Sequence, residues 1–396
     1  MKKSLLFLII FVFLGVLASC EQGPTLRLYN WGEYIDDSLV EAFEEESGIR
    51  VRQIAFDSNE VAITQMKGGN QYDLVIPSDY AIEQLAKEKL IQEIDWSRVE
   101  TFNKNTDLAT GLQTILDRVK EDANDPFDLL KYSIPYFWGN VGILYNKETV
   151  DASDLDGWDT LHLSNTYRIA YYNSARDSFM PALKAIGAET INHPNANEMS
   201  QAVTWLSNGL TSEVSVITDE IFDAMLDPTR YDLVVSYSGD ANYLMSENDK
   251  LDFYVPEEGT NVWVDGFVVP VGANDELSYE FINFMLEYDN AKQNTEFVAY
   301  STPRKDVFEE MIGVGGSFEA YKASYDVRIN NFDEVYRYNE ELKVEMDTKW
   351  QEILANKGFD TDEGLGTGTI VLIVGVGLLI VSSVVLSFIK KKKNKI

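Results

Sequence analysis

The stretch Tyr72-Asp73-Leu74-Val75-Ile76-Pro77-Ser78-Asp79-Tyr80 decides the fold, because it recurs in altered form as Tyr231-Asp232-Leu233-Val234-Val235-Ser236-Tyr237-Ser238-Gly239-Asp240. Each copy opens on Tyr-Asp-Leu-Val, continues as a short apolar run and ends in hydroxyl, phenol and carboxylate groups. A continuous apolar run of that length reads as a strand buried on both faces. Open α/β sheets bind ligands beyond the carboxyl ends of their strands, so each ending resembles one wall of a site. Two such walls, far apart in sequence, belong on two lobes that face one cleft.

Outward from the first copy, residues 25–80 alternate strand and helix: a strand at 25–30, a helix at 37–46 stopped by Gly48, and a strand at 49–56. A helix at 60–67 stopped by Gly68-Gly69 and a strand at 72–78 follow. At this spacing the pairing is parallel with right-handed crossovers, which makes the class α/β. The second half repeats the pattern, with strands at 142–145, 168–172 and 231–236 and helices at 180–186 and 198–206. A long strand-like run covers 261–271, and helices are expected at 277–287 and 334–354. Segments 133–137 and 266–271 are candidate hinge strands between the lobes. Lobe 1 is then 25–137 with 266–302, and lobe 2 is 138–265 with 303–358.

Both ends of the chain carry membrane signals. Lys2-Lys3, an apolar run over 5–16 and Leu17-Ala18-Ser19-Cys20 read as a lipoprotein signal peptide over 1–19, with Cys20 as the lipidation site. Cys20 is the single cysteine, so the exported part is expected without disulfides. At the other end residues 365–389 carry no charge, and 370–389 would form a helix of roughly 30 Å, about one bilayer core. The lysines at 390–393 and 395 place the basic tail 390–396 in the cytoplasm and the preceding domain outside. Residues 359–369 read as a flexible stalk to that transmembrane helix. The expected location is the cell membrane, with the binding domain on its extracytoplasmic face.

The formal net charge is −32, and setting aside the seven lysines of the two ends leaves about −39 on the exported part. Such a field repels nucleic acid and anionic headgroups and attracts small cations. Roughly 340 residues between the ends suffice for two domains with their own cores. Only two histidines occur, His162 and His193, both in polar surroundings, and there is no Gly-x-Ser-x-Gly elbow or phosphate loop. An enzyme is therefore not expected, and no cofactor or metal site is called.

The strand ends supply the candidate chemistry. They present Trp31-Gly32-Glu33-Tyr34, then Ser78-Asp79-Tyr80, Asn173-Ser174-Ala175-Arg176-Asp177 and Tyr237-Ser238-Gly239-Asp240. Trp263 and Asp265, two residues apart, share one face of the long late strand. A carboxylate in a half-desolvated cleft favours a cation through charge-assisted hydrogen bonds. An indole or phenol covers methylenes and attracts ammonium, worth roughly 0.5–2 kcal/mol per contact. The pairing suits a linear molecule whose ammonium groups are separated by short hydrocarbon runs, as in a polyamine. Other readings stay open: a sugar or metal-ion receptor of the same fold, a glycosidase with paired carboxylates, or an adhesin that needs no closed cleft.

The chain resembles the spermidine/putrescine-binding proteins of ABC transporters. The likeness lies in Tyr29-Asn30-Trp31-Gly32-Glu33-Tyr34, residues 72–78, Ser133-Ile134-Pro135-Tyr136-Phe137-Trp138-Gly139, residues 237–240 and 262–266, and Tyr300-Ser301-Thr302-Pro303. It runs from about Leu26 to Leu354. The resemblance implies a two-lobed periplasmic-binding-protein-like fold of type II whose hinge strands let the lobes close on a polyamine. It also implies an ABC permease and its ATPase as partners. Carried over by residue, Trp31, Glu33, Tyr34, Ser78 and Tyr80 line one wall, and Asp177, Tyr237, Asp240, Trp263, Asp265 and Tyr300 complete the box. Asp265 and Asp177 are expected to hold ammonium groups, with Glu33 and Asp240 as further anchors, while Trp31, Tyr237 and Trp263 pack on methylenes. Gly32, Ser174 and Tyr237 depart from the family pattern, which leaves the choice between spermidine and putrescine open.

Overall fold

The computed structural model describes residues 23–359 apart from 70, 218–220 and 227. Its first sheet joins β1 (Thr25–Trp31), β2 (Arg50–Phe56) and β3 (Leu74–Val75) in the order β2-β1-β3, all parallel. The helix Asp37–Ser47 makes the first crossover. Asp36 caps its start, and Gly48 stops it at φ 71°, a conformation glycine adopts without strain. Phe43 of that helix packs edge-on against Phe281 and Phe284 of the helix Asp275–Met285, which closes one face of the sheet.

The second sheet contains β4 (Ile134–Asn146), β5 (Ile169–Tyr172), β6 (Ser215–Ile217), β7 (Leu233–Tyr237) and β8 (Leu251–Tyr254), in the order β6-β5-β7-β4-β8. β5 runs parallel to β6 and β7, whereas β4 is antiparallel to β7 and β8, so this sheet is mixed. β9 (Val262–Phe267) pairs antiparallel with the first half of β4. Just beyond it Val268 bridges to Val75 of the first sheet, and Pro270 bridges to Ile91, past the helix that follows β3. β4 and β9 are thus the strands that tie the two sheets together.

Several expected boundaries move. β4 begins at Ile134 rather than at 142. Pro135, Gly139 and Gly142 hide the strand in sequence, and each has a local reason to be there. The register shifts between Pro135 and Phe137, where the proline has no N–H to give the ladder. A Cβ on Gly139 would lie 2.6 Å from both the Trp263 ring and Ser238 Oγ. β3 shrinks to Leu74–Val75: Val75 itself also bridges to Val268, and beyond the strand Ser78 bridges to Asp265 rather than to β1. The last helix runs Glu340–Lys357, capped by Asn339, so residues 334–339 are not helical. Glu334 there accepts from Lys184 Nζ at 2.6 Å and from the Ile191 N–H at 3.1 Å, which holds the segment against the second lobe.

The repeated Tyr-Asp-Leu-Val start has a structural task. Asp73 accepts the backbone N–H of Arg27 and two of its guanidinium N–H groups, at 2.8–2.9 Å. Asp232 does the same for Arg168, at 2.7–2.9 Å. In each lobe the aspartate locks the entry to one strand onto the parallel strand beside it, β3 onto β1 and β7 onto β5.

The expected architecture is corrected at its C-terminal end. Among the described residues no helix is long and apolar enough to cross a membrane. The helix Glu340–Lys357 buries Leu342, Met346, Trp350, Ile353 and Leu354 but carries charges along its whole length, so it docks on the domain rather than spanning lipid. The transmembrane helix expected at 370–389 lies outside the described residues, as do 1–19, Cys20, residues 360–369 of the stalk and the tail 390–396. The supported fold is the two-lobed unit without that helix.

Candidate functional site

β1, β3, β5, β7 and β9 all send their ends toward one region, where β9 contributes the central pair. Asp265 is 6% exposed. Its Oδ2 accepts from the Tyr34 hydroxyl at 2.8 Å, while its Oδ1 is buried with no hydrogen-bond partner. Burial pushes this carboxyl up to about 6, against the lowering effect of the Ser78 and Tyr34 hydroxyls. The Tyr34 ring meets Tyr300 edge-on at 5.5 Å, and Tyr300 meets Trp263 edge-on at 5.0 Å. Trp263 Nε1 is also buried without a partner.

From there the contacts continue in a chain. The Tyr300 hydroxyl donates to Asp240, and Tyr237 stands perpendicular to Trp263 at 6.1 Å. The Tyr237 hydroxyl donates to Asp177 Oδ2 at 2.9 Å. Burial raises Asp177, and the hydrogen bonds from Ser174 and Tyr237 reduce that rise. Burial, then the facing carboxylate, lifts the Tyr34, Tyr237 and Tyr300 hydroxyls far above their usual range, so they act as neutral donors. Seven of the residues picked from sequence therefore form one continuous set: Tyr34, Asp177, Tyr237, Asp240, Trp263, Asp265 and Tyr300.

Ser78 and Tyr80 belong to a neighbouring polar group. Asn59 donates to both hydroxyls, at 3.0 and 3.1 Å, and the Tyr80 hydroxyl reaches Glu60 at 3.3 Å. The Ser78 backbone bridges to Asp265, which joins this group to the first. Trp31 and Glu33 stand outside the buried set. The Trp31 ring packs on Phe56 at 4.6 Å, and Glu33 is exposed on a left-handed backbone at φ 53°.

Sequence reasoning missed four residues here. Asp79, passed over between Ser78 and Tyr80, accepts the Val264 N–H at 2.9 Å and so fixes the backbone between Trp263 and Asp265. Burial drives its carboxyl up to about 8, opposed by the N–H groups of Val264 and Tyr80. Arg176 lies 4.1 Å over the Tyr80 ring and 5.7 Å over Tyr336, and Tyr336 donates to the Arg176 carbonyl at 2.9 Å. Tyr172 meets Tyr237 at 5.7 Å. Asp79 and Arg176 sit within the strand-end motifs and Tyr172 closes the strand before one of them, so counting faces from the strand ends reaches all three. Tyr336 carried no signal, because its segment reads as helix.

Gly239 explains how Tyr300 reaches the site. A Cβ there would fall 1.6 Å from Tyr300 Cδ1. Gly239→Ala is expected to displace the Tyr300 ring and weaken binding about tenfold or more, since a reacting or binding group moved by 1 Å loses most of its geometry. Titration calorimetry checks it; parent-like affinity would show that Tyr300 is dispensable.

Comparison with known proteins settles the family. The profile of the bacterial extracellular solute-binding proteins matches residues 38–323. The chain belongs to that family. A spermidine/putrescine-binding periplasmic protein of Escherichia coli strain K12 is 31% identical over 293 residues, covering 72% of this chain and 79% of the relative. The solved spermidine/putrescine substrate-binding protein of Streptococcus pneumoniae superposes with a TM-score of 0.66 at 30% identity, over 85% of this chain and 100% of that one. A Listeria monocytogenes structure named for a spermidine/putrescine ABC transporter gives 0.70 at 32% identity, over 84% and 99%. The buried acid-and-aromatic set lies between the two sheets described above.

Proposed function

We propose that this protein is an extracytoplasmic receptor that binds polyamines, spermidine or putrescine, between its lobes and delivers them to an ABC permease. The observation that carries the reading is Asp265: a buried carboxylate with one oxygen held by Tyr34 and the other unpaired, beside the rings of Trp263 and Tyr300. An ammonium group would satisfy the free oxygen and meet aromatic faces at once. Asp177, beside Tyr237, supplies a second anchor, so the set fits a molecule with more than one ammonium. Asp240, Ser78 and Tyr80 extend the wall, while Trp31 and Glu33 would join it from the rim. The names of the relatives support the same ligand class. Lobe 1 (25–137 with 266–302) and lobe 2 (138–265 with 303–358) would close about β4 and β9. Lipid attachment at Cys20 belongs to this reading on sequence grounds.

Calorimetry of the purified protein with putrescine, spermidine and spermine, against a neutral sugar, tests it. Binding of the sugar and of no polyamine would overturn it. The affinity should also depend on pH. Asp265 titrates near 6, and only its ionised form pairs with ammonium. Affinity is therefore full above about pH 7 and falls as pH drops through 6, by about tenfold per pH unit below it. A flat profile between pH 5 and 8 would remove Asp265 from the site.

A further inference from the structure

Next to Tyr336 on the missed segment, Arg337 reaches out of one lobe into the other. Its backbone belongs to the second lobe: the Arg337 N–H donates to Asn192 Oδ1 at 2.8 Å, and Asn192 in turn donates to the Val335 carbonyl at 2.9 Å. Its guanidinium ends in the first lobe. Nε and one terminal nitrogen each meet a separate oxygen of Glu83 at 2.9 Å, and the same nitrogen donates to the Asp125 carbonyl at 2.6 Å. The Asp125 and Asp122 carboxylates lie 3.2 and 4.0 Å away. Glu83 sits on the helix Asp79–Lys87 and also accepts from the Tyr338 N–H at 3.0 Å. Lys87 reaches its Oε1 at 2.7 Å. The Arg337 and Glu83 side chains are 6% and 1% exposed.

We propose that Arg337 and Glu83 form a lobe-to-lobe latch, completed when the cleft closes, that sets ligand affinity without touching ligand. The inference rests on the receptor reading above. Three features carry it. The pair is bidentate, the geometry that makes an arginine–carboxylate contact specific. It lies between parts of the chain anchored in different lobes, so opening must expose both charges. Tyr336, one residue away, packs against Tyr80 and Arg176 in the cleft wall, so engaging Arg337 also seats that ring. In a chain with net charge −32 the two lobes repel each other, and a cation inserted from one into an acidic pocket of the other opposes that repulsion.

A latch of this kind acts on the closed population, so it shifts all ligands equally. Arg337→Met and the double variant Glu83→Gln/Arg337→Met are each titrated with putrescine and spermidine. The expected result is a Kd about tenfold higher for both ligands by the same factor, through faster dissociation. The double variant leaves no unpaired buried charge and keeps the test alive if Arg337→Met fails to fold. Unchanged Kd in folded variants with a lowered melting temperature would reduce the pair to a structural contact and overturn the proposal. Unequal factors for the two ligands would overturn it as well, by placing Arg337 on the ligand. If the parent binds neither polyamine, the receptor reading is what fails. Small-angle scattering of the unliganded proteins then decides the latch: variants more expanded than the parent support it, and identical profiles refute it.

Discussion

Asp265→Asn is expected to weaken polyamine binding by roughly 2–5 kcal/mol, the range for truncating one partner of a buried charge pair. The substitution is nearly isosteric, and the Tyr34 hydroxyl keeps an oxygen to donate to at the position now occupied by Oδ2. The fold should therefore survive while the charge is lost. What remains is an ammonium enclosed by Tyr34, Trp263 and Tyr300 with no anion at Oδ1, and rings alone recover only roughly 0.5–2 kcal/mol per contact. The variant should also lose the pH dependence centred near 6, because the titrating group has gone. Calorimetry with spermidine and putrescine measures both effects. Parent-like affinity in the variant would remove Asp265 from its role.

Asp73→Ala is expected to cost about 2 kcal/mol of stability, the range for losing hydrogen bonds between a buried carboxylate and a partly exposed arginine. Asp73 is almost fully buried and serves four donors: the Arg27 N–H, two guanidinium N–H groups of Arg27, and the Asn274 N–H. Alanine leaves the two backbone N–H groups without that acceptor. Burial raises the Asp73 carboxyl, but the Arg27 hydrogen bonds outweigh it and hold the group below its usual value. The sign follows directly. The stabilisation is fully present above the ordinary carboxylate range near 4 and is lost as pH falls through the lower folded value. Asp232→Ala should behave likewise, more mildly, since its partner Arg168 is half exposed. Thermal melts at pH 7 and pH 3 check this, with the gap between each variant and the parent expected to narrow at the lower pH.

Much of the fold was legible because its signals are local. The strand and helix alternation over residues 25–67, the stop at Gly48 and the two Tyr-Asp-Leu-Val strands follow from apolar periodicity and glycine placement. The parallel reading of the second half failed at β4, whose glycines and proline are there to admit Trp263 and to bend the ladder. Helicity was read into 334–339 from composition, yet hydrogen bonds to Lys184, Ile191 and Asn192 hold that segment in another shape. Such partners lie more than a hundred residues away and leave no periodic trace.

By itself the sequence determined which groups stand at the strand ends: carboxylates and aromatic rings, on two halves of an acidic chain. It also singled out Asp265 beside Trp263, since alternation along a strand puts both on one face. Only the tertiary structure decided which of those groups meet. It drew Tyr34, Asp177, Tyr237, Asp240, Tyr300, Trp263 and Asp265 into one contiguous set and left Trp31 and Glu33 outside it. It added Asp79, Tyr172, Arg176 and Tyr336, and it split the repeated motif into an Arg–Asp lock at each start and cleft side chains at each end. The reason is physical: propensity and periodicity act between neighbours in sequence, whereas burial, unpaired oxygens and lobe-to-lobe ion pairs exist only once the chain has closed on itself.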